Sequence, residues 1–193
     1  MDHIYNNIQG WFDYEDLYST IVDRLPEIGF RFAELGVWKG CSLSYFTVET
    51  INKNKKGTIY AIDHWLGSIE HLYPDSNTIL ESNLEDSPEG LYEKFLNNIN
   101  PIKELITIIR KSSLDAARII EDKSLDAIFI DASHEYKDVL LDLKAWVPKI
   151  KEGGIIAGHD WDWPGVQQAV KEFAAQNNRV ANRVPNTSWI LTQ

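Results

Sequence analysis

Acids, serines and histidines in this 193-residue chain gather at five places, each just after a short apolar run. Glu34 and Gly36 close the first run, Asp63 the second, Ser112 and Ser113 the third, Asp131 to His134 the fourth, and His159-Asp160 the fifth. Two carboxylates and an imidazole around one point form a donor set for a divalent cation. Carboxylate oxygen suits magnesium or calcium, whereas a His ligand tilts the set toward manganese, iron or zinc. Without a cation, two such acids repel and one takes up a proton. Asp131, His159 and Asp160 are the candidate metal ligands. His134 has an ordinary pKa of about 6.5, which suits general-base work near neutral pH. Asp131 and His134 are the candidate catalytic pair. A plainer reading of the same residues makes Asp131 a cap for the helix near Tyr136 and His159 a buried, hydrogen-bonded side chain.

The first cluster belongs to the stretch AELGVWKGCS, residues 33–42. It reads as a strand, a glycine turn and a helix N-terminus opened by Ser42. Glycine lets the backbone turn sharply and approach a ligand, and a helix N-terminus offers unpaired N–H groups to it. The dinucleotide fingerprint needs a middle glycine beside the pyrophosphate, and Val37-Trp38 does not supply one. That spacing disfavours NAD and favours a smaller nucleoside ligand, S-adenosylmethionine. Glu34, Gly36, Trp38, Gly40 and Ser42 are the candidate contacts on this turn. Asp63 lies where an acid accepts both ribose hydroxyls, and it is equally placed to form a turn. His64 and Trp65 follow it, Trp65 as an adenine wall or as core. Ser112 and Ser113 face the adenine edge, or one of them caps the next helix. Cys41, the one cysteine, reads as a packing residue, and no disulfide is expected.

Strand and helix patterns must alternate to bring these ends together, and they do. An amphipathic helix from Asp13 carries Leu17, Ile21, Val22 and Leu25. Strands are expected over 28–35, 58–63, 105–110, 125–131 and 155–159, the last entered through Gly153-Gly154. Helices are expected after Ser42, through Leu91 to Ile99, around Ala116 to Ile120, from Tyr136 and after Pro164. Arg179 to Arg183 and Ser188 to Thr192 read as two short strands joined through Pro185-Asn186. This order predicts a parallel sheet covered on both faces, with ligands outside the carboxyl ends of its strands. One domain over 1–193 is expected, with an N-terminal helical segment over 1–27 and a lid or insertion over 66–90. Its acids Glu70, Asp75, Glu81, Glu85 and Asp86 disfavour anionic substrates. Trp161, Trp163 and His64 sit near the expected cleft mouth, where they stack on a ring or simply pack.

A net charge of -10 and a pI near 4.9 argue against nucleic acid, whose phosphates need clustered Lys and Arg. No apolar run approaches a membrane span and no signal peptide is evident, so a cytoplasmic chain acting on a small molecule is expected. The Tyr5 and Trp11 region packs on its own domain or on a second copy in a homo-oligomer.

Five stretches carry a resemblance: AELGVWKGCS, IYAIDHWLGS, IIRKSSLDAA, LDAIFIDASHEY and IKEGGIIAGHDWDWPGVQQAV, in that order. The chain resembles the class I S-adenosylmethionine-dependent methyltransferases, and within them methyltransferase family 24, relatives of the macrocin-type and catechol-type O-methyltransferases. The resemblance implies a Rossmann-like, doubly wound α/β fold: a mostly parallel seven-stranded sheet with an antiparallel C-terminal strand and helices on both faces. It implies that Glu34 and Gly36 hold the methionine end of the cofactor, that Asp63 binds ribose and that Ser113 lies near adenine. It further implies Mg2+ or another divalent metal on Asp131, His159 and Asp160, and a general base at His134. His159 stands where relatives usually carry a carboxylate, which puts magnesium in question. The implied reaction is O-methylation of a small-molecule hydroxyl on a sugar, polyketide or phenol. A metal-dependent hydroxylase on the same fold and a non-catalytic cofactor-binding module are the alternatives.

Overall fold

The computed structural model describes residues 1–67 and 90–193, so the expected lid over 66–90 lies, apart from its two ends, outside the described residues. The elements are α1 (Glu15–Arg24), β1 (Ile28–Leu35), α2 (Cys41–Asn52), β2 (Lys56–Asp63), α3 (Gly90–Asn98), β3 (Ile106–Arg110), α4 (Ser113–Ala117), β4 (Leu125–Ile130), α5 (Tyr136–Trp146), β5 (Ile150–Gly158), α6 (Pro164–Gln176), β6 (Val180–Val184) and β7 (Ser188–Thr192). Helix ends follow local chemistry. Glu15 and Asp16 open α1 and Arg24 closes it, charges that complement the helix dipole. Pro164 starts α6 at a position where its missing N–H costs nothing.

The sheet runs β3-β2-β1-β4-β5-β7-β6. β1 to β5 are parallel, and β7 pairs antiparallel with both β5 and β6. The order reverses between β1 and β4, the switch point where open sheets of this kind bind ligands. Side chains alternate across each strand. Phe30, Phe32, Ala127, Phe129 and Ala157 enter one buried layer with α1, α2 and α3; Ala33, Leu35, Ile128, Ile130 and Ile156 enter the other with α4, α5 and α6.

That alternation, combined with register, positions the site. Ile62, Leu35, Ile130 and Gly158 are paired in one row across β2, β1, β4 and β5. One step further along, the row is Asp63, Gly36, Asp131 and His159. By parity Glu34, Asp63, Asp131 and His159 share the face of Phe32 and Phe129, beneath α1 and α2.

Most boundaries fall within two residues of the expected ones, and two depart further. β5 begins at Ile150, ahead of the glycines, because Leu125 pairs with Ile150 and Ala127 with Ile155; Gly153 and Gly154 form a bulge inside the strand. α4 ends at Ala117, short of Ile120. No helix among the described residues is long and apolar enough to cross a membrane.

Candidate functional site

Gly36 holds φ +79°, and a Cβ there would lie 1.9 Å from the Asp131 carbonyl oxygen. The close approach is pinned from both sides: the Gly36 N–H donates to Ile62 O at 3.0 Å, and the Asp131 N–H donates to Leu35 O at 2.9 Å. Gly40, at φ +87°, caps α2 against Ile99 and Phe95. Asp63 closes the turn. Its Oδ2 accepts from the N–H groups of Val37 at 3.0 Å and Trp38 at 2.9 Å, and its Oδ1 accepts from the Trp65 N–H at 2.7 Å. Trp65 is fully buried against Phe95 and Tyr92, and its Nε1 donates to Trp38 O at 2.7 Å, so it braces the turn from the core. The Trp38 ring stacks on Trp11, and Lys39 Nζ lies 4.3 Å from its centroid. His64 is partly exposed, with Nδ1 accepting from the Leu66 N–H. Cys41 is buried, its thiol pushed up to about 12 chiefly by burial, which fits a packing role.

Glu34 is 0% exposed, accepting from Ser42 Oγ at 2.6 Å and from the Tyr18 hydroxyl at 2.9 Å. Burial pushes its carboxyl up to about 8, against those two hydrogen bonds. The folded chain then holds a proton that the unfolded chain releases near 4.5. This contribution to stability is complete below about pH 4.5 and declines by up to about 1.4 kcal/mol per unit as pH rises, until it levels off near 8. Asp142, pushed up to about 6 by burial, acts in the same sense over the lower part of that window. Glu34→Gln is therefore expected to flatten the fall in denaturant-measured stability between about pH 6 and 8. An unchanged slope would show that Glu34 is ionised in the folded protein.

Ser112 and Ser113 part company. Ser112 caps α4, accepting from the Asp115 N–H at 3.2 Å. Ser113 Oγ donates to Asp142 at 2.5 Å and accepts from Trp146 Nε1 at 2.8 Å, which ties α4 to α5.

At the ends of β4 and β5, Asp131, His159 and Asp160 each present one ligand-type atom, all within 4.8 Å of one another. His159 Nδ1 lies 3.8 Å from Asp131 Oδ1 and 3.4 Å from Asp160 Oδ1. The remaining polar atom of each is held by the protein. Asp131 Oδ2 accepts from the Tyr14 hydroxyl at 3.0 Å, Asp160 Oδ2 meets His134 Nε2 at 2.8 Å, and His159 Nε2 meets Thr187 Oγ1 at 2.9 Å. This is the arrangement that outer partners give to metal ligands, and the donor set fits a divalent cation. Burial pushes the Asp131 carboxyl up to about 6, with Asp160 adding to the rise and the His159 charge opposing it. Burial also works against ionising Asp160, but hydrogen bonds from His134 and His159 outweigh it and hold that carboxyl well below the usual range. For His159, burial is outweighed by Asp160, Asp131 and Asp13, and the imidazole is pushed up to about 9. A protonated His159 thus offsets part of the charge on the two acids when no cation does.

His134 is stacked on Trp163, with centroids 4.3 Å apart. Trp163 is 47% exposed, whereas Trp161 is buried in the core with Lys171 over its ring, so Trp161 leaves the set of expected cleft-mouth rings. Trp161 is internal because it packs in the layer beneath α6, alongside Val166 and Trp189.

Four partners escape local sequence reading: Asp13, Tyr14, Tyr18 and Thr187. Tyr14 meets Asp131 across 117 residues, and Thr187 meets His159 across 28. The one available signal was the i, i+4 spacing of Tyr14 and Tyr18, which aims both rings at the same face.

A methyltransferase domain model matches residues 33–161, which take in the glycine turn and every strand end described above. The uncharacterized protein y4gI of Sinorhizobium fredii is 27% identical over 151 residues, covering 75% of this chain and 15% of that protein. The chain spans only 15% and 7% of the length of the curated relatives it matches. A Corynebacterium glutamicum protein solved as a structural-genomics target superposes with a TM-score of 0.64 at 12% identity, over 99% of this chain and 89% of its own. The O-methyltransferase NovP gives 0.62 at 15% identity, over 93% and 78%. At such identities these structures share the fold.

Proposed function

Since the chain belongs to the methyltransferase family whose domain model spans residues 33–161, we propose that it moves the methyl group of S-adenosylmethionine to a hydroxyl on a small, ring-bearing molecule. The observation that carries this reading is the row Asp63, Gly36, Asp131 and His159 across four neighbouring strand ends at the switch point. S-adenosylmethionine, when bound, supplies an electrophilic methyl group on a cationic sulfur. Gly36 and Gly40, packed against the Asp131 main chain and against Ile99 and Phe95, shape the turn that would face it. Asp63, already accepting from three backbone N–H groups, keeps acceptor capacity for a ribose hydroxyl, since a carboxylate has about four lone-pair sites.

A neutral hydroxyl is a poor nucleophile, so its proton must leave as the oxygen attacks. Asp160 Oδ2 lies 2.8 Å from His134 Nε2 and the Trp163 stack fixes the ring plane, which holds His134 in place as the base. His134 would take the hydroxyl proton as the oxygen bonds to the methyl carbon, leaving the carbon–sulfur electron pair on sulfur. Asp131, His159 and Asp160 would hold a divalent cation, whose chemistry there would be to lower the pKa of a neighbouring hydroxyl and orient it. Positioning of this kind accounts for roughly 7–11 kcal/mol in favourable cases.

Trp163 presents a pre-set aromatic face beside the base, which supports a sugar or phenolic ring as the acceptor. Trp163→Ala is expected to raise the acceptor KM about tenfold, the scale of one ring-stacking contact, with S-adenosylhomocysteine affinity unchanged. The function itself is tested by incubating the protein with methyl-labelled S-adenosylmethionine, panels of phenols and sugars, and divalent cations added or chelated. Label on an acceptor oxygen supports the proposal. A hydroxylated product formed with iron and dioxygen would point instead to the oxygenase alternative. Cofactor binding with no transfer to any acceptor would point to a binding module.

A further inference from the structure

We propose that His159 binds its cation through Nδ1, and that Thr187 and Asp13 are positioning residues that keep the proton on Nε2 and so bias the site toward borderline transition ions over magnesium. The inference rests on the cation-holding part of the proposed function and concerns which ion is held and what selects it.

Three segments far apart in sequence meet around the His159 ring. Its Nε2 lies 2.9 Å from Thr187 Oγ1 and 3.4 Å from Asp13 Oδ1. An ionised carboxylate only accepts, so attraction to Asp13 requires the hydrogen on Nε2. Nδ1 faces Asp131 and Asp160, so it is the nitrogen that would give up its hydrogen to a cation entering between those acids. The ring cannot turn away. Tyr14 lies over it with centroids 4.7 Å apart, and Trp189 Nε1 donates to the His159 carbonyl at 2.8 Å. The clasp is itself tied: Asn186 Nδ2 donates to the Asp13 carbonyl, and the Trp161 N–H donates to Thr187 O at 2.7 Å.

Thr187 occupies its place against its own backbone preference. Asn186 and Thr187 form the β6–β7 turn with φ +57° and +52°. Such turns favour Asn and Gly at both positions, and a β-branched residue there is an outlier. Asn186 obeys the preference and Thr187 does not. The hydroxyl on His159 gives the strained residue a reason to be there.

One neutral imidazole among carboxylates suits manganese, iron, cobalt or zinc, whereas magnesium prefers an all-oxygen octahedron. Outer partners of a metal-bound His typically control affinity by about 10- to 100-fold. The test titrates the full chain with Co2+, Mn2+ and Mg2+ by calorimetry. The Co2+ form is also followed by its visible spectrum and by the exchangeable imidazole N–H resonance that the ion shifts. Thr187→Val and Thr187→Gly are expected to weaken Co2+ by about 10- to 100-fold and Mg2+ far less, and to lose the shifted N–H signal through faster exchange. Thr187→Ser keeps the hydroxyl and is expected to bind like the parent. Thr187→Gly also relieves the turn, so its melting temperature should hold or rise while its Co2+ affinity falls, which a merely structural role would not produce. Asp13→Asn should weaken Co2+ in the same sense, and S-adenosylhomocysteine affinity should persist in every variant. Unchanged Co2+ binding in Thr187→Val and Thr187→Gly, or equal loss of Co2+ and Mg2+, overturns the inference. Preference of the parent for Mg2+ overturns it while leaving the cation-assisted reaction standing. Failure of the parent to bind any of the three ions overturns it and removes the cation from the proposed function, leaving the His134 route to be judged by methyl transfer under chelation.

Discussion

Gly36→Ala is expected to cost the fold about 4 kcal/mol or more, a fall in Tm of roughly 8–16 °C for a chain of this size, and to abolish S-adenosylhomocysteine binding. The added methyl would overlap main chain: the Asp131 carbonyl oxygen at 1.9 Å, its carbon at 2.6 Å and Ala132 Cα at 2.7 Å. Neither strand end can retreat without breaking the hydrogen bonds from Gly36 to Ile62 and from Asp131 to Leu35. The left-handed φ adds roughly 1–2 kcal/mol for any residue with a Cβ. Gly153→Ala provides the control. Gly153 has a similar φ of +75°, but a methyl added there would meet nothing within 4 Å, so only the conformational cost applies. Equal destabilisation by the two substitutions would show that contact between β1 and β4 does not demand glycine at 36.

His134→Ala and Asp63→Ala should fail in opposite ways. His134→Ala removes the proposed general base, and turnover is expected to fall by about 10²- to 10⁴-fold. Cofactor affinity should barely change, because none of the turn contacts among the described residues involves His134. Asp63→Ala strands the N–H groups of Val37, Trp38 and Trp65, each at about 1–3 kcal/mol if left unpaired. Affinity for S-adenosylhomocysteine should drop about tenfold or more, with turnover at saturating cofactor much less affected. Isothermal titration beside single-turnover methyl transfer separates the two losses. Loss of cofactor binding to the same degree in both variants would refute the division of labour.

The strands were legible because their apolar runs are short and end in turn or capping chemistry. Ile28–Leu35 was bounded correctly by Gly36 alone. β5 was placed five residues late, since glycines normally mark a turn and here they sit in a bulge whose existence depends on how Leu125 and Ala127 pair with the neighbouring strand. Ser112 and Ser113 show the same limit. Either hydroxyl satisfies a capping pattern, and the choice follows from Asp142 and Trp146 arriving on α5 to claim Ser113. Trp161 and Trp163 are two residues apart and identical in type, yet one is core and the other is half exposed and stacked on His134, because α6 covers only the first.

By itself the amino-acid order determined the alternating elements, the glycine turn, and the acids and imidazoles waiting at successive strand ends. These depend on backbone preference and on periodicity over a few residues, which are local properties. Tertiary structure alone decided that Tyr14 grips Asp131, that Tyr18 and Ser42 enclose Glu34, and that Thr187 and Asp13 orient His159. Each of those contacts requires sheet register and helix docking to bring distant segments within about 3 Å. No local pattern encodes such an approach, because one residue of slip in any strand turns its side chains to the other face.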